Sequence, residues 1–318
     1  MSAIVGSENL AAVPAVTETK EASRQREGSG SNNLGVVLAL LAVYVIWGST
    51  YFAIRIAITP NEGFPPFLMA GVRFLLAGFI LFTYVKLRGE EWPTLKQWGA
   101  SALVGCLLLL GGNGLVTFAE QWVASGLAAL AIATVPIFAA VFAGLWGRWP
   151  GKAEWAGLLL GIGGVALLNL EGNMQAEPLA AMALLFATAS WALGSVWSQY
   201  LPLPKGMMAS ATEMLGGGMG LLLVGLVSGE RMTRVPEAGP MVAFVYLVVF
   251  GSIVAFSAYS YLLQKVRPSL ATSYAYVNPV VAVALGVGLG GETVTWIGLV
   301  AMPVILLGVA IVVMGRKR

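Results

Sequence analysis

The sequence predicts an all-α membrane protein with ten transmembrane helices, arranged as two inverted five-helix repeats. Three observations predict it. The composition is too apolar for a water-soluble domain, ten apolar segments follow one another with short gaps, and the chain matches itself faintly at an offset of roughly 143–144 residues.

Composition excludes most alternatives. Of 318 residues, 58% are hydrophobic and 10% charged, and the mean hydropathy is +0.82. Soluble domains average about 45–50% apolar and about 25% charged residues. The chain has no His and no Asp, so all 15 acidic residues are Glu; its one Cys, Cys106, lies in an apolar run. A lone thiol forms no intrachain disulfide. Without His and Asp, the usual metal sets and the Ser-His-Asp and Cys-His arrangements are unavailable. The reading therefore expects no catalytic residue, no metal and no cofactor. No basic patch interleaved with aromatics points to nucleic acid. Two glycine motifs fail on context: Gly286, Gly288 and Gly291 end an apolar segment and not a βαβ turn, and Gly147 to Lys152 is one residue short of a P-loop, with Ala153 in place of Ser or Thr.

The elements follow in order. Residues 1–33 are polar and lack the apolar core of a secretory signal, so they read as a disordered cytoplasmic tail. Apolar segments then occupy 36–57, 66–85, 98–117, 126–146, 153–170, 179–199, 209–228, 241–261, 270–288 and 295–314. A helix of about 20 residues crosses roughly 30 Å of hydrocarbon. Inside lipid each backbone N–H and C=O must be satisfied within the segment, which makes these runs helical. The expected repeats are 34–172, holding the first five helices, and 177–315, holding the second five. No gap is long enough for a soluble domain, so function must reside in the bundle.

Lys and Arg set the orientation. With the N-terminus inside, the cytoplasmic side holds fourteen of the 18 basic residues, from Lys20, Arg24 and Arg26 to Arg316, Lys317 and Arg318. The outer loops hold only Arg231 and Arg234, while Arg55 and Arg73 fall within or at the edge of helices. Both termini are therefore expected in the cytoplasm. Trp92, Trp98, Trp149, Trp155 and Trp296 sit at segment ends, where interfacial aromatics belong.

The internal match places Tyr44, Trp47, Tyr51 and Arg55 on Thr188, Trp191, Ser195 and Gln199. Pro136 falls on Pro279, Gln121 on Gln264, and Arg73 near Glu213. Five helices per repeat is an odd number, so the second copy enters the membrane from the opposite side, an architecture recurrent in secondary transporters.

Several motifs make the likeness specific. They are Trp47-Gly48-Ser49-Thr50-Tyr51-Phe52, Arg73-Phe74-Leu75-Leu76-Ala77-Gly78, Pro136, Ser273-Tyr274-Ala275-Tyr276-Val277-Asn278-Pro279, and Gly291-Glu292. In these the chain resembles the drug/metabolite transporter superfamily, in its EamA-type ten-helix branch, and looks most like the YedA-type bacterial inner-membrane exporters. The resemblance implies two EamA repeats, location in the bacterial cytoplasmic membrane, and export of small metabolites or amphipathic compounds.

Polar and aromatic stripes mark candidate solute-binding residues. Tyr44, Trp47, Tyr51 and Arg55 share one face of the first segment. Asn113, Thr117 and Glu120 share a face of the third, Thr188, Trp191, Ser195 and Gln199 mark the sixth, and Tyr274 and Asn278 the ninth. Four such stripes suggest a shared, partly wet cavity suited to a small amphipathic solute; interhelical packing and hydrogen bonding would leave the same pattern. Arg73 lies inside the second segment, where a guanidinium needs an anion or water, and Glu120 and Glu292 are expected partners. It reads as a structural or gating residue, or as the holder of a substrate carboxylate. Proton coupling would fall on Glu120 or Glu213. Pro136 and Pro279 are candidate hinges. The small-residue pairs Gly157 with Gly161 and Gly216 with Gly220 read as packing.

The expected function is secondary transport by alternating access, with a small amphipathic solute, amino acids first, and the lipid bilayer as partners. Nothing in the sequence specifies an oligomeric state. The rivals are a carrier of phosphorylated or nucleotide-linked sugars, a membrane enzyme acting on lipids, and a non-transporting scaffold.

Overall fold

The computed structural model describes residues 15–122, 131–168, 178–281 and 296–314, with side chains from Leu34 onward. Contacts divide the chain into a short unit, Met1–Leu38, and a main unit, Ala39–Arg318. In the short unit the backbone is helical from Ala15, where the sequence reading expects a disordered tail.

The described residues form helices and no strand. They are α1 (Ala15–Ala57), α2 (Pro66–Leu87), α3 (Leu95–Ala119), α4 (Val135–Leu145), α5 (Lys152–Leu168), α6 (Pro178–Trp197), α7 (Met207–Val227), α8 (Ala238–Lys265), α9 (274–281) and α10 (Trp296–Met314). Among the described residues six stretches are long and apolar enough to cross a membrane: Leu34–Ala57, Pro66–Leu87, Leu95–Ala119, Pro178–Trp197, Met207–Val227 and Ala238–Lys265.

The surface of the main unit is that of a protein solvated by hydrocarbon. Phe52, Phe79, Leu159, Phe186, Leu223 and Val242 stand exposed, while Thr188, Ser195, Thr212, Glu213, Ser252, Ser273 and Asn278 are buried. A soluble protein shows the opposite sorting, and exposed apolar surface of this extent needs lipid to cover it.

Local chemistry sets the ends of the helices. Thr94 and Gln97 form a capping box at the start of α3. Gly229 takes φ +84° just past α7, a left-handed turn that glycine adopts without strain. This turn carries Glu230 to the start of α2, where its carboxylate accepts from Phe67 N–H at 3.1 Å and Leu68 N–H at 2.8 Å. A carboxylate at a helix N-terminus satisfies free N–H groups and meets the positive end of the dipole.

Two long helices are not α-helical throughout. Cys106–Gly114 within α3 and Leu247–Val254 within α8 are π-helical. Two other segments are interrupted by turns. Thr134 donates its hydroxyl to the Ala131 carbonyl at a turn directly before α4, and Ser273 donates to the Leu270 carbonyl directly before α9.

The first turn corrects an expectation. Pro136 stands in the first turn of α4 rather than in a helix interior. At that position its missing N–H has no intrahelical acceptor to lose, so it starts a helix and does not kink one. Pro279 lies in α9.

Packing runs on small residues. α2 packs along α7, and α5 along α10. A Cβ added at Gly308 of α10 would fall 2.6 Å from the Gly161 nitrogen of α5, and one at Gly216 of α7 would fall 2.6 Å from Ala102 Cα of α3. Close backbone approach gives the dispersion contact that replaces a hydrophobic drive inside lipid. Gly308→Ala should therefore lower the midpoint of thermal unfolding in detergent by the equivalent of about 1–3 kcal/mol. Gly99→Ala, whose Cβ would meet nothing within 4 Å, should leave it unchanged.

Candidate functional site

The helices converge on a half-enclosed cavity in the main unit. Its space for water centres is about 60 Å³. By that measure one water needs roughly 10–15 Å³, so several waters fit. α1 contributes Trp47, Thr50, Tyr51 and Ile54; α2 contributes Arg73 and Phe74; α3 contributes Gly112 and Asn113. Thr188 and Trp191 come from α6, Gly251 and Phe256 from α8, and Tyr274 and Asn278 from α9.

Trp47, Trp191 and Tyr274 of one wall form a box of four aromatic rings with Tyr259 behind them. Trp47 lies 5.4 Å from Trp191, 5.0 Å from Tyr259 and 4.7 Å from Tyr274, centroid to centroid. Tyr259 lies 5.6 Å from both Trp191 and Tyr274. Edge and tilted contacts of this kind hold rings rigidly without a flat stack.

Hydrogen bonds fix the ring orientations. Trp47 Nε1 donates to the Gly251 carbonyl at 3.1 Å. Trp191 Nε1 donates to the Tyr259 hydroxyl at 3.0 Å. Ser195 Oγ gives its one proton to the Trp191 carbonyl at 2.6 Å, so across its 2.6 Å contact with Tyr259 it can only accept. Trp191, Tyr259 and Ser195 thus form a closed ring of donors and acceptors. Tyr259 was not among the sequence candidates. The stripe Phe256, Tyr259 and Leu263 on the eighth segment was the signal that could have found it.

Arg73 is 2% exposed. Its Nε donates to Ser252 Oγ at 2.8 Å and its Cζ lies 4.6 Å from the Phe74 ring centroid. The expected pairing with Glu120 is not formed, because among the described residues the one ion pair is Arg267–Glu154 at 3.4 Å. Ser252 takes the place of the acid. Glu292 lies outside the described residues.

The remaining candidates separate by location. Tyr51, Asn113, Trp191, Tyr274 and Asn278 line the cavity with Trp47 and Arg73. Tyr44, Thr117 and Ser195 do not. The Tyr44 hydroxyl meets Ser273 Oγ at 2.6 Å, and Thr117 Oγ1 donates to the Asn113 carbonyl at 2.9 Å. Glu213 is buried between α7 and α8, where its carboxylate accepts from Ser260 Oγ at 3.0 Å. Glu120 lines a different, open pocket with Arg55, Arg231 and Arg234.

At the opposite end polar side chains link helices around an open pocket lined by Arg148, Glu154, Gln199 and Arg267. Arg148 Nη1 donates to Gln199 Oε1 at 2.9 Å. Gln199 Nε2 donates to the carbonyls of Leu263 at 2.8 Å and Val266 at 3.1 Å. Ser269 and Arg267 both donate to the Glu154 carboxylate.

A helical bundle that exposes apolar residues outward and encloses a polar–aromatic cavity has the sorting of a membrane protein. Comparison with known proteins makes the class specific. The profile of the EamA-like transporter family matches the chain twice, over residues 33–170 and 178–314. The chain belongs to this family. It is 49% identical to the inner membrane transporter YedA of Escherichia coli K12 over 279 residues, covering 87% of this chain and 90% of that protein. It is 25% identical to a WAT1-related chloroplastic protein of Arabidopsis thaliana, over 86% of this chain and 68% of that one. It is 27% identical to the transporter YdfC of Bacillus subtilis, over 85% and 86%. A crystal structure of a protein 20% identical superposes with a TM-score of 0.71, over 90% of this chain and 99% of the other, which shows a shared fold.

The closed ring of bonds around Tyr259 has a measurable consequence. Tyr259→Phe leaves Trp191 Nε1 without an acceptor at constant shape, and an unsatisfied buried donor costs about 1–3 kcal/mol. The variant should unfold at lower temperature in detergent than the unaltered protein.

Proposed function

We propose that this chain is a secondary transporter of the bacterial cytoplasmic membrane that carries small amphipathic solutes outward by alternating access, amino acids foremost. The observation that carries this reading is the central cavity itself. It pairs a rigid aromatic wall with Arg73, Asn113, Tyr51 and Asn278, in a protein whose outer surface is apolar. Such a site offers flat apolar contact and a few polar anchors to one small molecule.

In this reading the chain crosses the membrane ten times, as repeats 34–172 and 177–315 of opposite orientation, with both termini in the cytoplasm. Support comes from the two family matches and from features that recur at like positions. Trp47 and Trp191 face each other, π-helical stretches occur in the third and eighth helices, and turns precede Val135 and Tyr274 in the fourth and ninth. Interrupted helices beside the site are the expected places for movement. Pro136 and Pro279 follow those turns, which makes the turns the hinges. Glu213 and Glu120 are the carboxyls through which a proton could be coupled.

Among the described cavity residues Arg73 is the one cationic side chain. This favours zwitterions and singly charged solutes over phosphorylated or nucleotide-linked sugars, whose two charges would be only half compensated.

Solute flux in proteoliposomes tests the reading, with a panel of labelled amino acids and amphipathic metabolites at zero and imposed pH gradients. One solute class should be carried, and Trp47→Ala and Trp191→Ala should each lower its flux at least tenfold. Absence of flux for every class, from protein shown to be folded, would argue for the scaffold alternative. A response to the gradient that disappears in Glu213→Gln or Glu120→Gln would identify the coupling group.

Topology is tested separately. In a Cys106→Ser background, Thr233→Cys should react with an impermeant maleimide added to intact cells, and Lys205→Cys should react only after the membrane is opened. The reverse pattern would invert the proposed orientation.

A further inference from the structure

The cavity contains a buried cation with donors left over. The Arg73 guanidinium keeps its proton under all ordinary conditions. Its Nε is held by Ser252, and its Nη2 lies so close to Gly251 that a Cβ there would fall 2.8 Å away. Its Nη1 is buried and has no partner among the described residues. No carboxylate among the described residues is within ion-pair distance of it. Asn278, 2% exposed and lining the same cavity, has no partner for either side-chain atom. Its amide lies near the Tyr51 hydroxyl. Uncompensated charge in a membrane interior is among the costliest arrangements a fold can hold, and groups left this way face a cavity or a ligand.

We propose that Arg73 Nη1 and Asn278 Nδ2 form an oxyanion subsite that takes one singly charged carboxylate-type anion. The flat apolar part of the ligand then lies on the Trp47, Trp191 and Tyr274 wall. The proposal rests on the transporter reading and deepens it by giving the cargo one negative charge. One guanidinium balances one charge, which excludes dianions. Two N–H donors on Nη1 and a further pair on Nδ2 match the lone pairs of a carboxylate. Ser252 is a positioning residue: it holds Nε and so limits the turning of the guanidinium. The same chemistry is available to the carboxylate of a cargo and to a free inorganic anion such as chloride.

The test uses the purified full chain in detergent and three ligands of one shape and different charge: benzoate, benzamide and benzamidinium. Binding is read by calorimetry in Tris sulfate. Benzoate should bind at least tenfold more tightly than benzamide, and benzamidinium more weakly still. Arg73→Gln should erase the difference by weakening benzoate alone. Ser252→Ala and Asn278→Ala should each weaken benzoate several-fold and leave benzamide unchanged. If Arg73→Gln does not fold, these two variants decide. Equal affinity for benzoate and benzamide in the unaltered protein, or a preference that survives Arg73→Gln, overturns the proposal. Added chloride that competes with benzoate supports the subsite with an inorganic ion as resting occupant; absence of competition supports it with the cargo carboxylate alone. Because binding is measured without flux, a failed transport assay with an intact charge preference would sink the transporter reading only. Flux without charge preference would sink the subsite only.

Discussion

The indole of Trp191 lies on Gly112, and the indole of Trp47 bonds the carbonyl of Gly251; both glycines stand in π-helical stretches. The cavity depends on these two contacts. A π turn holds one residue more than an α turn and disturbs the regular pattern of backbone bonds. At Gly251 the disturbance leaves a carbonyl able to accept from an indole N–H. At Gly112 the absence of a side chain lets a ring lie directly against the backbone. Any side chain at either glycine would displace Trp191 or Arg73 and close the space that the rings define.

A membrane interior has no water to complete a hydrogen bond, so each polar side chain needs a partner within the protein. One device recurs. A Ser donates to a carbonyl of its own helix and is left able only to accept, and a Tyr from another helix donates to it. Tyr44 with Ser273, Tyr246 with Ser49 and Tyr259 with Ser195 all follow this scheme. Each joins two helices while leaving no hydroxyl proton idle. Against this background the exceptions carry information. Of seven buried side-chain atoms without a partner among the described residues, four belong to Arg73, Asn113 and Asn278 at the cavity. Unpartnered polar atoms are thus concentrated at the cavity, with Glu120, Ser210 and Ser257 the others.

The helices were legible because hydropathy alone specifies them: the segment read as 66–85 is found at Pro66–Leu87, and that read as 179–199 at Pro178–Trp197. Their stripes were legible to the level of a face. Trp47, Tyr51, Asn113, Trp191, Tyr274 and Asn278 do line one cavity, whereas Tyr44 and Ser195, on the same faces by spacing, turn away to bond Ser273 and Tyr259. Spacing places a residue on a side of a helix but does not say which neighbour its hydroxyl will reach. Arg73 shows the same limit. An acid was the natural partner to seek, and a serine serves, since one hydroxyl among many carries no mark in sequence. The turn at 133–134 has no Gly or Pro of its own to announce it, so Pro136 read as an interior kink and stands in a first turn.

The two ends of the cavity are chemically unequal at positions that the internal match makes equivalent. Gln199, at the end of the sixth segment, is bound on both sides, by Arg148 and by the Leu263 and Val266 carbonyls at the end of α8. Arg55, its counterpart at the end of the first segment, is exposed at a broad pocket with Glu120, Arg231 and Arg234. In the alternating-access reading a single site is reached from one side at a time, and ends that differ in bonding suit that requirement. In the inverted-repeat reading the counterpart of each contact already exists in the opposite half. In that reading, release of Gln199 and engagement of Arg55 are the paired exchange that alternating access would require.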